Sequence, residues 1–333
     1  MRTIKLDFVG FWQNFDKNNN FFTDILRERY HVEITDQPDF VIASVLGAPY
    51  EYTKYDCVRI LFTGEPLAPD FNVFDYAITF EQLTCLDADG NDRHFRYPLC
   101  LVSNGRIKEM HMGMTYEAAE KELAQKKYFC NFLYGHRSAY GERERILEVL
   151  QKYKRVEAAG SFMNNMPDHR VIPYSKEKYE FQRQCKFTIA FESISHPGFI
   201  TEKIVDPICS CSVPIYYGNP LCHKEFNSKA LINCHEFGSF EEAAERVIEI
   251  DNNDELYIQM LMEHKFVTAT YLEEMTNSFK AFLWRIFSTE KEEAYRRLRH
   301  YVSKFHDDNL RNFNRFSSSK LYRLQQKLSK FQK

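Results

Sequence analysis

A glutamate and a lysine follow a glycine turn within FESISHPGFITEKIVDPICSCSVPIYYGNP, residues 191–220 of the chain. Thr201 is a residue type that caps helix N-termini, so the pattern predicts Glu202 and Lys203 in the first turn of a helix. Unpaired backbone N–H groups and the helix dipole favour an anion at such a position, and Lys203 adds a positive charge. The stretch therefore predicts a diphosphate site, beside which Glu202 is suited to contact sugar hydroxyls or a developing positive charge. The simpler alternative is that both residues are solvated first-turn side chains.

Other residues with site-like spacing are weaker candidates. Asp87-Ala88-Asp89 matches the DxD pattern of metal-dependent transferases, but a Gly-Asn-Asp sequence follows it and indicates a polar turn. We therefore expect no metal at this position. Cys209 and Cys211 form a CxC pair on a predicted helix, which is poor geometry for zinc. His196 lies in the loop before the glycine and is interpreted as a solvated loop residue, with ligand contact as the alternative.

Two successive series of predicted strands and helices must position these candidates. The first series runs from the strand TIKLDFVG to the strand FDYAITFE; the second runs from KKYFCNFLYG to SVPIYYG, followed by the helical FEEAAERVIEI. Apolar strands that alternate with helices indicate parallel sheets covered by helices, so the predicted fold class is α/β. A polar stretch from about residue 87 to 127 is interpreted as the crossover between the series. Two Rossmann-like halves facing a cleft would place ligands beyond the carboxyl ends of the strands.

The length of 333 residues is enough for two domains with separate cores. We expect an N-terminal Rossmann-like domain over residues 1–120, a C-terminal Rossmann-like domain over 121–295 and a basic helical tail over 296–333.

The tail differs from the body in charge. Residues 296–333 carry a net charge of +9, whereas the first 295 residues carry −12. Apolar residues recur in the tail at helical spacing between basic residues, which predicts a basic amphipathic helix. The apolar residues are Leu321, Leu324, Leu328 and Phe331, and the basic ones are Lys320, Arg323, Lys327 and Lys330. Two interpretations remain open, packing on the protein itself and docking on an anionic bilayer, whereas nucleic acid is disfavoured because the acidic body would repel a phosphate backbone.

Cysteine usage and the start of the chain favour a cytoplasmic protein. Nine cysteines are scattered without CxxC pairs, which suits a reducing compartment. No apolar run reaches the length of about 18 residues typical of a membrane span, and the opening TIKLDFVGFW lacks the pattern of a signal peptide.

Aromatic residues make up 15% of the chain, with 29 Phe, 20 Tyr and two Trp. Carbohydrate-binding proteins use such rings to stack on sugars. Core packing is the simpler explanation for most of them.

The stretch 191–220 resembles the signature of the α-1,3/4-fucosyltransferases, glycosyltransferase family 10, in which FEN, a short spacer, GY(V/I)TEKI and (I/V)PIYWG follow one another. FTGEPLAPDFNVFDYAITFE is similar to the family's TGEN-type motif with FDYAI, RYPL follows it, and KKYFCNFLYG resembles the start of the second domain. The resemblance covers about 290 residues. It implies a GT-B fold of two Rossmann-like domains, with the acceptor on the first, GDP-fucose on the second and inversion at the fucose anomeric carbon. The bacterial members that the chain resembles are cytoplasmic and carry basic amphipathic C-terminal helices.

The motif match implies a role for three residues. Glu65 in FTGEP is the candidate base that takes the proton of the acceptor hydroxyl; without the match it is a strand-end carboxylate. Glu202 matches the carboxylate that stabilises the fucosyl centre, and Lys203 matches the lysine that neutralises the diphosphate. No metal or other cofactor is then required beside the GDP-fucose substrate. The implied acceptor is an N-acetylglucosamine-containing glycan of N-acetyllactosamine or lacto-N-biose type, which gives a Lewis-type product.

Three positions depart from the family pattern. Met163 in AGSFMNN stands where many bacterial relatives have a phosphate-binding arginine, and Arg170 is the candidate replacement. Ser193 replaces the asparagine of FEN, and Phe199 replaces the tyrosine of GYVTEK. The predicted donor-binding set is Lys203, Arg170, Asn164, Ser193, Phe199 and Thr201. The departures leave open a GT-B transferase that uses another nucleotide sugar, and a catalytically silent glycan-binding protein is the alternative from another functional class.

Overall fold

The computed structural model describes residues 1–102, 106, 107, 109, 110, 112–317, 319 and 322. Within them the chain forms two compact units, one of Met1–Tyr97 with the residues from Met275 onward, and one of Pro98–Glu274. Each unit contains one parallel β-sheet.

The strands are β1 Thr3–Val9, β2 His31–Ile34, β3 Phe40–Ala43, β4 Val58–Phe62, β5 Tyr76–Thr79, β6 His94–Arg96, β7 Tyr128–Phe132, β8 Val156–Ala158, β9 Cys185–Phe191, β10 Val213–Tyr217 and β11 Ile232–Asn233. The α-helices are α1 Phe21–Arg27, α2 Tyr116–Ala124, α3 Glu142–Gln151, α4 Lys176–Arg183, α5 Glu202–Cys209, α6 Phe240–Asp251, α7 Asp254–Met262, α8 Tyr271–Ser288, α9 Lys291–Ala294 and α10 Val302–Ser317.

The sheet of the first unit has the order β2-β1-β3-β4-β5-β6, and all neighbouring strands are parallel. Strands β3, β4 and β5 are buried along their whole length. Their almost continuous apolar sequences are typical of a parallel sheet that is covered on both faces.

The C-terminal helices supply most of the cover of this first sheet. Residues 1–97, all of which the structure describes, contribute one α-helix, α1, so the sheet lacks a crossover helix after most of its strands. Helix α8 fills one face with aromatic rings: Phe287 lies 4.7 Å from Phe40, and Phe279 stacks on Tyr97 at 4.2 Å, measured between ring centroids. Burial of these rings is the main stabilising contribution at this face.

Helix α10 is tied to the same unit by polar contacts. Asp307 pairs with Arg59 of β4, which is fully buried, and a second bond from Arg59 Nη2 to Asp307 Oδ2 is 3.0 Å long. Asn314 Nδ2 donates to the carbonyl of Pro49 at 2.7 Å. Because a buried guanidinium needs a charged partner, α10 is part of this unit's structure.

The two compact units have other bounds than the domains expected from the sequence, and those domain bounds stay a prediction. The first unit gives way to the second after Tyr97, rather than after residue 120, and the chain returns to the first unit within α8. Residues 296–317 of the predicted tail pack on the first unit. The predicted stripe of Leu321, Leu324, Leu328 and Phe331 lies outside the described residues.

The second sheet has the order β11-β10-β9-β7-β8 and is also parallel throughout. Alternate residues of β9, Phe187, Ile189 and Phe191, point into a core shared with α3, α6 and α7. The predicted strands and helices of both series are present. The stretch interpreted as a polar crossover, about 87–127, contains β6 and α2. None of the helices in the described ranges has the length and hydropathy of a transmembrane segment.

Candidate active site

The predicted diphosphate site lies at the carboxyl edge of the second sheet. After β7 the chain moves outward to β8 and then crosses back to β9 on the other side of β7, which makes the β7/β9 pair a topological switch point. Parallel α/β sheets bind ligands beyond the strand ends at such a point. The loop after β9, residues 192–201, leads directly into helix α5. Thr201 is its N-cap and Glu202 its first residue, as the sequence predicts.

Thr201 joins a buried carboxylate to a lysine. Its backbone N–H donates to Glu192 Oε1 at 2.7 Å, and its hydroxyl lies 2.8 Å from Glu192 Oε2. The same hydroxyl oxygen accepts from Lys203 Nζ at 2.9 Å. Lys203 Nζ also lies 3.2 Å from Glu192 Oε2 and 3.4 Å from Glu202 Oε1. One ammonium therefore stands between two carboxylates at the start of α5.

Electrostatics set the charge states of Glu202 and Lys203 in this group. Burial raises the pKa of Glu192, and the charge of Lys203 offsets part of the rise. Burial would also raise the pKa of Glu202, but Lys203 and Lys178 outweigh it and hold that pKa below its usual value. For Lys203, burial acts to lower the pKa, whereas Glu192 and Glu202 raise it above its usual value. Glu202 is therefore ionised and Lys203 protonated at neutral pH, the states that their predicted roles require.

A second ion pair holds α5 from the side. Lys178 of α4 donates to Asp206 Oδ2 at 2.7 Å, and the Asp206 side chain is 1% exposed. Burial raises the pKa of Asp206, while Lys178 acts in the opposite direction. Since a buried carboxylate without a partner is costly, this contact fixes α4 against α5 close to Glu202.

The loop after β8 carries two further donor candidates, Asn164 and Arg170, together with Met163, which departs from the family pattern. Met163 has a positive φ of 55° and is 38% exposed. Asn164 Nδ2 donates to the carbonyls of Gly160 at 2.8 Å and Arg170 at 3.0 Å, so its amide holds the loop together. The Arg170 side chain is 64% exposed and pairs with Glu177. All three residues lie at the carboxyl edge of the sheet, and the Arg170 guanidinium, predicted to replace the missing arginine, is engaged with the Glu177 carboxylate.

The two remaining donor candidates differ in exposure. Ser193 is exposed at the start of the loop after β9. Phe199, near the end of the same loop, is 2% exposed, so its side chain is packed inside the protein. Its predicted contact with a ligand stays a prediction.

Glu65 belongs to the first unit and lies at the carboxyl edge of the first sheet. It follows the end of β4 by three residues, and its N–H donates to Thr63 Oγ1 at 3.0 Å. Its side chain is exposed, and its carboxylate has no hydrogen-bond or ion-pair partner in the part of the chain that the structure describes. A free carboxylate at a strand end can accept a proton from a bound hydroxyl.

Exposed apolar side chains lie at the same edge of the first sheet. Trp12 is 42% exposed in the loop after β1, and Leu46 is 53% exposed in the loop after β3. Leu46 N–H donates to the carbonyl of Gly10 at 2.8 Å, which joins the two loops. The rings of Phe11 and Phe62 lie 6.0 Å apart, so the residue before Trp12 contacts the last residue of β4, and Glu65 follows that strand closely.

Asp87, the first residue of the DxD pattern, stabilises a turn. Its Oδ1 accepts from the backbone N–H groups of Asp89 at 3.0 Å and Asn91 at 2.9 Å, and its Oδ2 accepts from Arg296 Nε at 2.8 Å. Among the described residues, no group of three or more His, Cys, Asp or Glu side chains is arranged to hold a metal ion.

Two family models match most of the chain. The model of the α-(1,3)-fucosyltransferase FucT N-terminal domain matches residues 6–103, and that of the glycosyltransferase family 10 (fucosyltransferase) C-terminal region matches residues 123–302. The chain belongs to glycosyltransferase family 10. The family membership predicted from the motifs is therefore confirmed, and with it the assignment to the glycosyltransferases.

Relatives of this family 10 chain include α-(1,3)-fucosyltransferase FucT of Helicobacter pylori, which is 30% identical over 283 residues. That match covers 75% of this chain and 57% of the relative's own length. A crystal structure of an α1,3-fucosyltransferase is similar with a TM-score of 0.67 at 25% identity, covering 85% of this chain and 90% of that one. A crystal structure with GDP-fucose is similar with a TM-score of 0.66 over 85% and 91% of the two chains. The predicted α/β fold with the two Rossmann-like domains of the GT-B class is confirmed.

Sequence reasoning missed three residues that the structure brings together at the candidate site. Glu192 is the only one with a local signal, because it is a charged residue directly after the apolar strand β9. Lys178 and Asp206 lie on two different helices, 28 residues apart in sequence, and no spacing rule connects them.

Proposed function

We propose that this family 10 protein transfers L-fucose from GDP-fucose, with inversion, to a hydroxyl of an N-acetylglucosamine-containing glycan in α-1,3 or α-1,4 linkage. The observation that carries the proposal is the first turn of α5 at the β7/β9 switch point, where Lys203 and the backbone amides suit a diphosphate. The name of the Helicobacter pylori relative supports an α-1,3 linkage, and the similar structure with GDP-fucose supports the donor.

The reaction assigns one step to each candidate residue. The Glu65 carboxylate takes the proton of the acceptor hydroxyl as its oxygen bonds to the fucose anomeric carbon. The bond from that carbon to the β-phosphate oxygen breaks, and GDP leaves with the electron pair. Lys203 and the α5 amides stabilise the charge on GDP, and the ionised Glu202 stabilises the positive charge on the sugar.

The exposed side chains at the carboxyl edge of the first sheet favour a neutral acceptor with apolar faces. Sugar rings present C–H faces that stack on aromatic side chains, and Trp12 offers such a ring at 42% exposure. We assign Trp12 to the acceptor, an N-acetyllactosamine or lacto-N-biose unit, because Trp12 and Glu65 lie in loops at the same edge.

The direct test measures GDP release from GDP-fucose with and without N-acetyllactosamine and lacto-N-biose. Acceptor-dependent GDP release, with a fucosylated product identified by mass and linkage analysis, is expected. GDP release that no acceptor stimulates contradicts the assigned acceptor.

Met163 is the reason to test other nucleotide sugars as donors. An exposed methionine stands in place of the expected arginine, and Arg170 is paired with Glu177, so the phosphate contacts differ from the family pattern. GDP-mannose, UDP-galactose and UDP-N-acetylglucosamine are therefore included as competing donors. Faster turnover of any of these than of GDP-fucose would replace the proposed donor. Binding of glycan without turnover of any donor would favour the silent binding protein.

The C-terminal region is proposed to contact an anionic membrane from the cytoplasmic side. Val302 and Phe305 are each 67% exposed on the outer face of α10, and the Lys304 side chain is 67% exposed between them. Basic residues near an anionic surface contribute about 1 kcal/mol each, and salt screens the effect. The full chain should sediment with anionic vesicles at low salt, less at high salt, and not with neutral vesicles. A chain truncated after Ser319 should sediment less, and equal sedimentation of both chains would contradict a role for the tail.

A further inference from the structure

Glu192 directly follows strand β9, and its carboxylate side chain is 0% exposed. A buried charge is costly unless it is paired and hydrogen-bonded. Glu192 meets this requirement through Thr201, which donates both its N–H and its O–H, and through Lys203 Nζ at 3.2 Å. Both partners belong to the start of α5, so this carboxylate serves the proposed donor site.

The neighbouring strand leaves space for this side chain. A Cβ added at Gly218 would lie 2.4 Å from Glu192 Cγ and 2.7 Å from the Tyr216 hydroxyl. Glu192 N–H donates to the carbonyl of Tyr217 at 2.8 Å, which fixes its backbone. The absence of a side chain at Gly218 is therefore required, and Glu192 is held in one position beside α5.

Glu192 also changes what Thr201 does at the helix start. An N-cap threonine usually accepts a hydrogen bond from a backbone N–H of the first turn. Thr201 makes no such bond, because its hydroxyl donates to Glu192 and accepts from Lys203 Nζ. The first-turn amides of α5 therefore receive no acceptor from the cap. One of them, Glu202 N–H, contacts the carboxylate of its own residue, and the others keep their capacity to bind an external anion.

The two carboxylates beside Lys203 differ in their exposure to solvent. Glu192 is fully buried, whereas Glu202 is 25% exposed and can turn towards a ligand. If Glu192 lost its charge, Glu202 would become the nearest ionic partner of the ammonium and would draw it away from a diphosphate.

We infer that Glu192 is a positioning residue for the donor: it holds the Lys203 ammonium and withdraws Thr201 from capping, so that ammonium and first-turn amides converge on one diphosphate. The inference takes from the proposed function that the ligand is a nucleoside diphosphate. It does not depend on which sugar the diphosphate carries.

A double-mutant cycle on the full chain tests this by calorimetric titration with GDP. Glu192→Gln should weaken GDP binding about tenfold in the parent, as loss of a charge-assisted contact implies, and by less than about twofold in a Lys203→Met background. The matched control is Glu122→Gln, a buried glutamate of α2 whose Oε2 accepts from Arg183 Nε at 3.1 Å. The control should lower the melting temperature and leave GDP affinity unchanged.

Two results for Glu192→Gln would overturn the inference. Tighter GDP binding by this variant than by the parent would mean that the Glu192 charge in the parent only repels the diphosphate. An equal loss of affinity in both backgrounds would mean that the substitution acts on the fold and not through Lys203.

UDP and inorganic pyrophosphate, titrated in parallel, separate this inference from the proposed function. If GDP fails to bind but UDP or pyrophosphate binds with the same coupling, the positioning role stands and the GDP-sugar donor is excluded. If none of the three binds the parent, both proposals fail. Should Glu192→Gln not fold, Thr201→Val removes the bridging hydroxyl and should weaken binding about fivefold; unchanged affinity in that variant would also overturn the inference.

Discussion

The two units build the same kind of sheet but equip its carboxyl edge differently. Strand order β2-β1-β3-β4-β5 in the first unit corresponds to β8-β7-β9-β10-β11 in the second, and the first sheet adds β6. Each sheet therefore has a switch point, at β1/β3 and at β7/β9, where parallel strands offer room for a ligand.

At the first edge exposed apolar side chains lie near an exposed carboxylate, whereas at the start of α5, on the second edge, a buried carboxylate and a lysine form an ionic group. Trp12 and Leu46 are 42% and 53% exposed, and Glu65 is exposed in another loop at the same edge of the sheet. At the second edge Lys203 is held by Glu192 and by Glu202. Fixed ionic groups suit a ligand with an invariant charged part, and an open apolar surface suits a neutral ligand that varies. One topology thus supports both proposed halves of the transfer.

The largest effect is expected from substitution of Glu65, which should impair transfer at the first edge without affecting GDP binding at the second. Glu65→Gln should lower the transfer rate about 10²- to 10⁴-fold, because a general base contributes that much, and should leave GDP affinity unchanged. Initial rates and calorimetric GDP titration measure the two quantities. Glu33→Gln, an exposed glutamate of β2, is the matched control and should retain activity. Transfer within a few-fold of the parent would remove Glu65 from the mechanism.

Substitution of Lys203 should have its main effect at the second edge, on GDP binding. Lys203→Met should weaken GDP binding by about 2 kcal/mol, roughly 30-fold, as loss of a charge-assisted hydrogen bond predicts. Lys176→Met serves as control, because that side chain is 89% exposed on α4. Calorimetry that gives the same dissociation constant for Lys203→Met and the parent would contradict the assignment of the diphosphate to α5.

A smaller effect is expected at Trp12. Trp12→Ala should raise the KM for the glycan acceptor about tenfold, because a stacked ring is lost, while kcat and the KM for GDP-fucose change little. Trp12→Phe keeps a ring, so its KM for the acceptor should lie between those of the parent and of Trp12→Ala. An unchanged acceptor KM in Trp12→Ala would place the acceptor away from this loop.

The smallest effect is expected from chelation. The proposed roles of Lys203 and the α5 amides at the diphosphate require no cation, so EDTA should change the initial rate by less than about twofold. Loss of activity that manganese alone restores would instead give Asp87 and Asp89 a metal-binding role.

Much of the fold and part of the site could be predicted from the sequence. The strands TIKLDFVG, VRILFTG and CKFTIAFE are apolar and short enough to identify as buried parallel strands, and Thr201 marks the start of α5. The motif order gives the family. Strand β6 has only three residues, His94–Arg96, and its polar sequence carries no strand signal, so it was missed within the expected crossover.

The sequence by itself determined the fold class, the family and the first turn of α5, because each depends on local pattern: apolar periodicity, residue order and a cap residue. The tertiary structure decided which unit the C-terminal helices cover, since the first sheet has few crossover helices and buries Arg59 against Asp307, 248 residues away. It also decided that Glu192 engages Thr201 and Lys203 instead of solvent. A buried charged group pairs with whichever oppositely charged or polar group the fold brings next to it. Residue spacing along the chain does not reveal which group that is.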